Sequence, residues 1–215
     1  MKNTGKLLIV VLMLCWSFIS FAQPIFGVRA GLNLTTMLSK DDETNYGDEN
    51  NFKMRPGFNV GPTAEFPINE MFSFETALLL STMGVNGEYD YGGGNSKESL
   101  SLLYLNIPLT AKAVFDVGGT KVFGVFGPYL GYGLSGKWKS DEFGDEDVKW
   151  GTGTEDHFKP FDFGLQIGAG AAIKFIEISL SYGLGLANIA SDTGGGTMEK
   201  NRVLALSVGY KFVKK

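Results

Sequence analysis

The chain has little of what most catalytic and metal sites are built from. Its 215 residues include one cysteine and one histidine. The cysteine, Cys15, lies in an N-terminal segment that we expect to be removed, which excludes disulfides, thiolate metal sites and cysteine nucleophiles from the mature protein. The formal net charge of −4 argues against nucleic acid as a partner. After the N-terminal segment, no stretch approaches the ~20 apolar residues of a membrane-spanning helix.

The N-terminal segment has the pattern of a secretory signal peptide. Two lysines precede an uncharged apolar run from Leu7 to Phe21, which ends in small residues suited to cleavage between Ala22 and Gln23. A membrane anchor is the alternative interpretation, but the run is short for a span and ends at a cleavage-like site. We therefore predict a signal peptide over residues 1–22 and one exported domain over residues 23–215.

The exported part alternates between apolar residues and small or polar ones. The pattern is clearest from Arg202 to Phe212, where leucine, valine and aromatic residues take one face and small residues and a lysine take the other. A period of two is typical of a β-strand with one face in an apolar medium. Leu79 interrupts the pattern of the third segment, and the faces of the fifth are not distinguishable. The alternation predicts eight strands, over residues 26–36, 57–66, 71–83, 99–115, 121–134, 160–174, 176–186 and 202–212.

The connections between these strands are alternately long and short. The long connections are expected to be loops, over residues 37–54, 84–98, 135–159 and 188–201. Long loops at one end and tight turns at the other predict an all-β fold, an eight-stranded antiparallel up-and-down transmembrane β-barrel. A soluble lipocalin-like barrel is the alternative, but it places its apolar residues inside. Here the non-apolar face is largely glycine, alanine and serine, which suits a narrow lumen better than a solvent face.

Aromatic residues cluster where one membrane interface would lie. Such a girdle is expected because aromatic rings favour the headgroup region. The last strand ends in Val208, Tyr210 and Phe212, which resemble the C-terminal signal recognised by barrel-assembly machinery. We therefore expect that machinery and outer-membrane lipid as partners. The phenylalanines beside the short turns or chain ends are Phe26, Phe66, Phe72, Phe115, Phe123, Phe175 and Phe212.

Basic and acidic residues are balanced on the predicted inward face. A narrow lumen cannot hydrate isolated charges, and an unpaired buried charge is very costly, so these residues must pair. Balance favours a closed, self-neutralising lumen over an ion-selective pore, which usually carries an excess of one sign. The alternative is that some of these residues lie hydrated at strand ends. The predicted network consists of Arg29, Lys112, Lys174 and Lys211 with Glu65, Glu75, Asp162 and Glu177.

The loops on the presumed outer side are acidic. Asp141, Asp145 and Asp147 have a spacing that faintly resembles calcium ligands. The closing glutamate of a calcium-binding loop is absent, and solvated loop charge is the better interpretation. We predict no metal and no cofactor.

Catalytic chemistry is poorly supplied. His157 has Ser135, Ser140 and Asp156 nearby in the sequence, but no serine motif surrounds it. A site must be argued from its residues rather than from its fold, so we predict no catalytic residues and no enzymatic activity.

Four segments together resemble the PorT-like family of outer-membrane β-barrel proteins, and the similarity covers essentially the whole mature chain. The resemblance implies an eight-stranded barrel in a Gram-negative outer membrane, usually without a defined activity. The name-giving member of the family is linked to protein secretion, a role that the resemblance does not carry over. Asn106 stands where the family often has glutamate. The segments are Phe26-Gly27-Val28-Arg29-Ala30-Gly31-Leu32-Asn33-Leu34, Tyr104-Leu105-Asn106-Ile107-Pro108-Leu109, Gly127-Pro128-Tyr129 and Phe161-Asp162-Phe163-Gly164.

These observations favour a non-enzymatic integral outer-membrane barrel. Its acidic loops would contact the outside in a structural, adhesive or accessory role, with an extracellular or envelope partner that the sequence does not specify. A small-solute, porin-like channel, a lipid-modifying outer-membrane enzyme and a soluble lipocalin-like binding barrel stay open as alternatives.

Overall fold

The computed structural model describes residues 23–40, 52–90, 95–142, 144–153, 155–193 and 196–212. The predicted signal peptide, the acidic residues of the first long loop and the last three residues lie outside these ranges. Within them, no helix is long and apolar enough to cross a membrane.

The described part of the chain forms a single antiparallel sheet of eleven strands. In chain order the strands are β1 (Ile25–Lys40), β2 (Phe52–Lys53), β3 (Arg55–Pro67), β4 (Phe72–Ala77), β5 (Leu79–Asp90), β6 (Asn95–Val117), β7 (Thr120–Ser140), β8 (Gly144–Asp147), β9 (Phe161–Ile173), β10 (Ile176–Gly185) and β11 (Met198–Lys211).

The sheet closes into a ring, which confirms the predicted eight-stranded up-and-down barrel. The order around the ring is β1, β3, β4 with β5, β6, β7, β9, β10 and β11. The seam is the pairing of β1 with β11, which runs from Gly27↔Lys211 to Lys40↔Met198. Following the paired residues from strand to strand once around the ring leads back to β1 at a residue about ten positions further along the chain. Closing a barrel of tilted strands requires a stagger of this kind.

The outer surface of the ring is apolar. On β11, Leu206 and Val208 are each 53% exposed, and Ser207 between them is buried in the lumen. The same alternation continues around the ring, with leucine, isoleucine, valine and phenylalanine side chains pointing outwards. This surface would be unstable in water and fits the hydrocarbon of a bilayer.

Two aromatic girdles border this apolar band. At the end with the short turns, Tyr210 and Phe212 pack edge to face with ring centroids 5.6 Å apart. At the other end, Tyr132 and Phe161 do the same at 5.0 Å. The outward residues from Val122 to Tyr132 span ~33 Å of strand, which a tilt of about 40° reduces to about 25 Å along the membrane normal.

One side chain differs from its expected position, and two irregular parts of the sequence pattern are explained. Phe123 was expected in the aromatic girdle, but it is 5% exposed and points into the lumen. The structure thereby resolves the fifth predicted segment, in which Val125 and Tyr129 also face inwards and Phe126 faces lipid. Leu79, which broke the predicted pattern, is an apolar residue on the inward face, 6% exposed.

The barrel wall continues beyond the apolar band on the side of the long connections. The predicted loop over residues 84–98 is strand up to Asp90 and again from Asn95. The predicted loop that starts at Ser135 begins instead with a hairpin, in which β8 pairs with the end of β7. Cross-strand pairing satisfies the backbone hydrogen bonds of these long segments, which alternation of apolar residues alone did not reveal.

Placing a charge on the lipid-facing surface should destabilise the barrel in a way that depends on depth. We expect Leu206→Lys, near the middle of the apolar band, to lower the free energy of unfolding by about 2–4 kcal/mol. The matched control Phe212→Lys, at the headgroup level, should lower it by about 0–1 kcal/mol. Reversible urea unfolding in phospholipid vesicles measures both. Equal effects of the two variants would contradict the assignment of this surface to lipid.

Candidate functional site

The lumen is filled from end to end in three layers. Charged side chains occupy the end with the short turns, hydrogen-bonded amides and hydroxyls occupy the middle, and apolar side chains close the outer end. The inward side chains of an eight-stranded barrel lie close enough to fill its interior. The lumen is therefore the candidate site, and its layers decide whether anything passes through it.

Lys112, on β6, is the centre of the charged layer. Its side chain is 1% exposed. Its Nζ donates hydrogen bonds to Glu177 Oε1 at 2.7 Å, to Glu75 Oε2 at 2.9 Å and to Glu65 Oε2 at 3.1 Å. The ammonium also lies 4.1 Å from the centroid of the Phe123 ring. All three donor protons thus have carboxylate acceptors, and the ring face adds a cation–π contact.

Two further cations complete the layer. Arg29, on β1, donates to Glu75 Oε1. Lys211, on β11, forms an ion pair with Glu65, and its Nζ lies 2.6 Å from Glu177 Oε1. Three basic and three acidic residues therefore form one cluster, which we call the inner ion cluster: Arg29, Lys112, Lys211, Glu65, Glu75 and Glu177.

The inner ion cluster has no net charge, and this balance makes its burial tolerable. Removing an ion from water costs several kcal/mol even after relaxation, and only good geometry with additional hydrogen bonds offsets it. Here Ser73 Oγ supplies one such bond, donating to Glu65 Oε1 at 2.8 Å. The three carboxylates are close enough together to hold a metal ion, but the Lys112 ammonium occupies the position between them.

The structure brings together six of the eight residues expected in the lumen network. The expectation for Lys174 is wrong: β9 ends at Ile173, and Lys174 lies exposed in the tight turn with φ of 56°. A residue at a turn can reach water, so it needs no buried partner. Asp162 faces the lumen and is 2% exposed, but it lies outside the inner ion cluster.

Asp162 accepts hydrogen bonds from two neutral side chains instead of pairing with a cation of the inner ion cluster. Its Oδ2 accepts from the Tyr129 hydroxyl at 3.2 Å and from Asn201 Nδ2 at 2.9 Å. Sequence reasoning missed both partners because Tyr129 lies on the strand whose faces could not be distinguished and Asn201 was placed in a loop.

The middle layer is a chain of amides and hydroxyls. Asn59 Nδ2 donates to Asn33 Oδ1 at 2.7 Å, and Asn33 Nδ2 donates to Ser81 Oγ at 3.0 Å. Ser207 Oγ donates to Asn59 Oδ1 at 3.3 Å. Beside this chain is a cavity of about 50 Å³, which is enough space for a few water molecules and too little for a solute path.

The outer layer is an apolar plug made by the loops. Val148, Trp150, Phe158 and Ile189, which we call the outer plug, pack against inward side chains of the barrel wall. Trp150 meets Tyr104 edge to face at 5.5 Å. The Trp150 ring also fills the space where a side chain at Gly133 would stand, so that glycine is required for the close approach.

The aspartates whose spacing resembles that of calcium ligands lie in the hairpin of β7 and β8, where two of them face lysines. In the register of β7 and β8, Lys137 stands opposite Asp147 and Lys139 opposite Asp145. The Lys139 Nζ to Asp145 Oδ2 distance is 4.0 Å. The spacing that resembled calcium ligands is thus explained by cross-strand charge pairs on an exposed hairpin.

His157 lies above the outer plug and has no arrangement suited to general base catalysis. Its Nδ1 accepts a hydrogen bond from the N–H of Lys149 at 3.3 Å, so the neutral ring carries its proton on Nε2. That nitrogen faces Glu146 Oε1 at 3.9 Å. Neither nitrogen is then free to take a proton from a serine hydroxyl.

The sequence matches the profile of the family described as outer membrane protein beta-barrel domain over residues 21–191. Among solved structures it is similar to OprG from Pseudomonas aeruginosa (TM-score 0.45, 11% identity, covering 90% of this chain and 98% of that one). It is also similar to Ail, the attachment invasion locus protein of Yersinia pestis (TM-score 0.40, 16% identity, covering 88% of this chain and 99% of that one). A third similar structure is Neisserial surface protein A (TM-score 0.41, 13% identity, covering 87% of this chain and 97% of that one). No curated protein matches it.

Removing the central cation should destabilise the barrel strongly, and removing one carboxylate as well should restore much of the loss. We expect Lys112→Met to lower the free energy of unfolding by about 3–5 kcal/mol because it leaves an excess buried negative charge. In Lys112→Met with Glu177→Gln, the pairs Arg29–Glu75 and Lys211–Glu65 balance again. Urea unfolding in vesicles compares the variants. If the double variant is no more stable than Lys112→Met, charge balance is not what the cluster provides.

Proposed function

This chain belongs to the family of outer membrane protein beta-barrel domains, and within that family we propose that it is a PorT-like, non-enzymatic barrel with a closed lumen. The protein is an integral component of the outer membrane. In this proposal the barrel is a rigid support for an extracellular surface with a structural, adhesive or accessory role. Export by a cleaved signal peptide over residues 1–22 is part of the same proposal.

The observation that carries the proposal is the closure of the lumen at both ends. The inner ion cluster occupies the end with the short turns, and the outer plug occupies the opposite end. A pore needs a continuous hydrated path or a ring of charge with one sign. A neutral cluster and a buried apolar layer provide neither, so the lumen supports a mechanical role better than transport.

The PorT-like assignment is supported by contacts between the motifs. Tyr129 of the Gly-Pro-Tyr segment donates to Asp162 of the Phe-Asp-Phe-Gly segment. A side chain at Gly164 would collide with the Tyr129 ring, so the glycine of one motif makes room for the tyrosine of the other. Residues that the resemblance singled out therefore act on each other inside the barrel.

A non-enzymatic role is supported by the geometry of His157. Its Nδ1 is engaged by a backbone N–H, and its Nε2 faces Glu146 rather than a serine hydroxyl. A general base must present a lone pair to the proton that it removes.

We expect the purified protein to be electrically silent in planar bilayers. Within the described part of the chain, the neutral inner ion cluster and the outer plug leave no continuous aqueous path for ions. Single-channel recording tests this, with a porin reconstituted in the same lipid as the positive control. A stable open conductance in most recordings would overturn the closed lumen and favour the small-solute channel.

We also propose that barrel-assembly machinery recognises the end of β11 and that deletion from Tyr210 onwards blocks assembly. Tyr210 pairs with Val28 across the seam and with Ile176 on β10, and the N–H of Phe212 donates to the carbonyl of Phe26 at 2.7 Å. Heat-modifiable gel mobility and membrane fractionation measure assembly. Tyr210→Phe, which keeps the ring, is the control and should assemble normally. Normal insertion of the truncated chain would contradict the assignment.

A further inference from the structure

A cavity of about 410 Å³ opens on the extracellular side, above the outer plug. It is formed where β6, β7, β8, β11 and the segment after β8 converge. Its volume lies in the range of pockets that hold small molecules or one large side chain. Its lining includes Glu98, Trp138, Glu146, His157, Phe158 and Glu199.

The cavity combines aromatic walls with negative charge. Trp138 is 38% exposed, so its indole is partly accessible, and the buried Phe158 ring lines the same cavity. Glu98, Glu146 and Glu199 line the same space, and its described lining includes no lysine or arginine. Aromatic faces and carboxylates both attract cations, and each attraction is stronger where water is partly excluded.

A second cavity of the same volume, about 410 Å³, shows that this combination is not a general property of the extracellular surface. Lys53, Lys97 and Lys139 there balance Glu88, Glu98 and Asp141. One of these pairs is direct, with Lys53 Nζ at 2.5 Å from Glu88 Oε2. The second cavity has no aromatic residue in its described lining. Glu98 lines both cavities; with it included the second is electrically neutral, whereas the first keeps an excess of negative charge from Glu146 and Glu199 even without it.

Glu199 is a half-buried carboxylate of the first cavity. It lies near the start of β11, opposite Ser39 and beyond the apolar outward face of that strand. Burial raises the pKa of Glu199 to about 7. The titratable groups that line the same cavity are Glu98, Glu146 and His157. The Tyr104 hydroxyl also interacts electrostatically with Glu199.

A metal ion is a poor match for this chemistry. Imidazole ligands offer a lone pair to the metal, and the other ring nitrogen normally carries the proton. The N–H of Lys149 already donates to His157 Nδ1, which places the ring proton on the nitrogen that faces Glu146. The cavity therefore suits a cation that brings its own hydrogen-bond donors.

We propose that this cavity binds an organic cation, a guanidinium or primary ammonium on an apolar stem. The stem would pack against Trp138 and Phe158, and the cationic head would donate to Glu199 and Glu146. The source is either a small free amine or an arginine or lysine side chain of an extracellular protein. The proposal deepens the extracellular role proposed above and rests on it.

Titration of the full-length protein in nanodiscs tests the proposal. The probe is Nα-acetyl-arginine amide, and the matched neutral probe is Nα-acetyl-citrulline amide, which has the same shape without the charge. Trp fluorescence and isothermal titration calorimetry report binding. We expect saturable binding of the arginine probe and at least about tenfold weaker binding of the citrulline probe.

Variants locate the site. We expect Glu199→Gln to weaken binding about tenfold or more and Glu146→Gln to weaken it about threefold, because Glu146 is more exposed. The charge-matched control is Asp141→Asn in the neutral cavity, which should change affinity less than about twofold. If Asp141→Asn and Glu199→Gln weaken binding of the arginine probe equally, the proposal is overturned, because the general negative charge of the surface would then explain the binding.

The pH dependence provides an independent readout. Because the pKa of Glu199 is raised to about 7, its carboxyl is neutral below that pH and charged above it. Affinity for the arginine probe should therefore rise between pH 6 and pH 8 in the wild type, by about tenfold at most per charge gained. Glu199→Gln should remove this rise, and His157→Gln separates the contribution of the ring. An unchanged rise in Glu199→Gln would contradict the assignment.

The two sources of the cation give different results. Agmatine binding as tightly as the peptide acetyl-Gly-Arg-Gly-amide indicates a free amine, whereas tighter binding of the peptide indicates a protein-borne side chain. The test is also distinct from conductance. A silent barrel that ignores the arginine probe overturns only the cation site, and a conducting barrel that binds it overturns only the closed lumen.

Discussion

The rest of the structure depends on one constraint: the Lys112 ammonium is held where water cannot reach it. Its three protons are donated to carboxylates from β3, β4 and β10. Since an unpaired charge in such a place costs several kcal/mol, the number and sign of the surrounding groups are tightly limited. Arg29 and Lys211 bring the total charge to zero. The strands that carry these residues are fixed relative to one another across the lumen rather than only through neighbouring pairs.

The inside and the outside of the barrel make opposite demands, and the alternating sequence satisfies both. Outward residues must suit hydrocarbon and carry no charge, whereas inward residues must fill a narrow space and balance one another. The outer plug adds a third environment, an ordinary apolar core built where the strands leave the membrane. The protein therefore combines the packing of a membrane barrel with that of a small soluble domain.

The alternation of residues was sufficient to predict the ring of strands, its polarity and all six residues of the inner ion cluster, because a period of two assigns each side chain to a face. The alternation did not predict the orientation of side chains where both faces of a strand carry similar residues or where a strand ends. Glycine and aromatic residues on both faces of β7 hid the inward orientation of Phe123 and Tyr129. Lys174 follows the alternation but lies one residue past the end of β9. The outer plug was not predictable, because contacts between Trp150, Phe158 and the barrel wall depend on how a loop folds back and leave no local pattern.

The position of Lys211 gives the seam a role in the order of events during assembly. Lys211 is near the end of the last strand, and its ammonium reaches Glu177 on β10 and Glu65 on β3, across the joint with β1. Until β11 pairs with β1, Lys211 can reach Glu177 on the neighbouring strand β10 but not Glu65 on β3. The open sheet has the same net charge as the closed ring, but it lacks this ion pair across the seam. Closure forms the pair, so the final pairing of strands is favoured by electrostatics as well as by hydrogen bonds, and Lys211 joins the two sides of the seam only in the complete barrel.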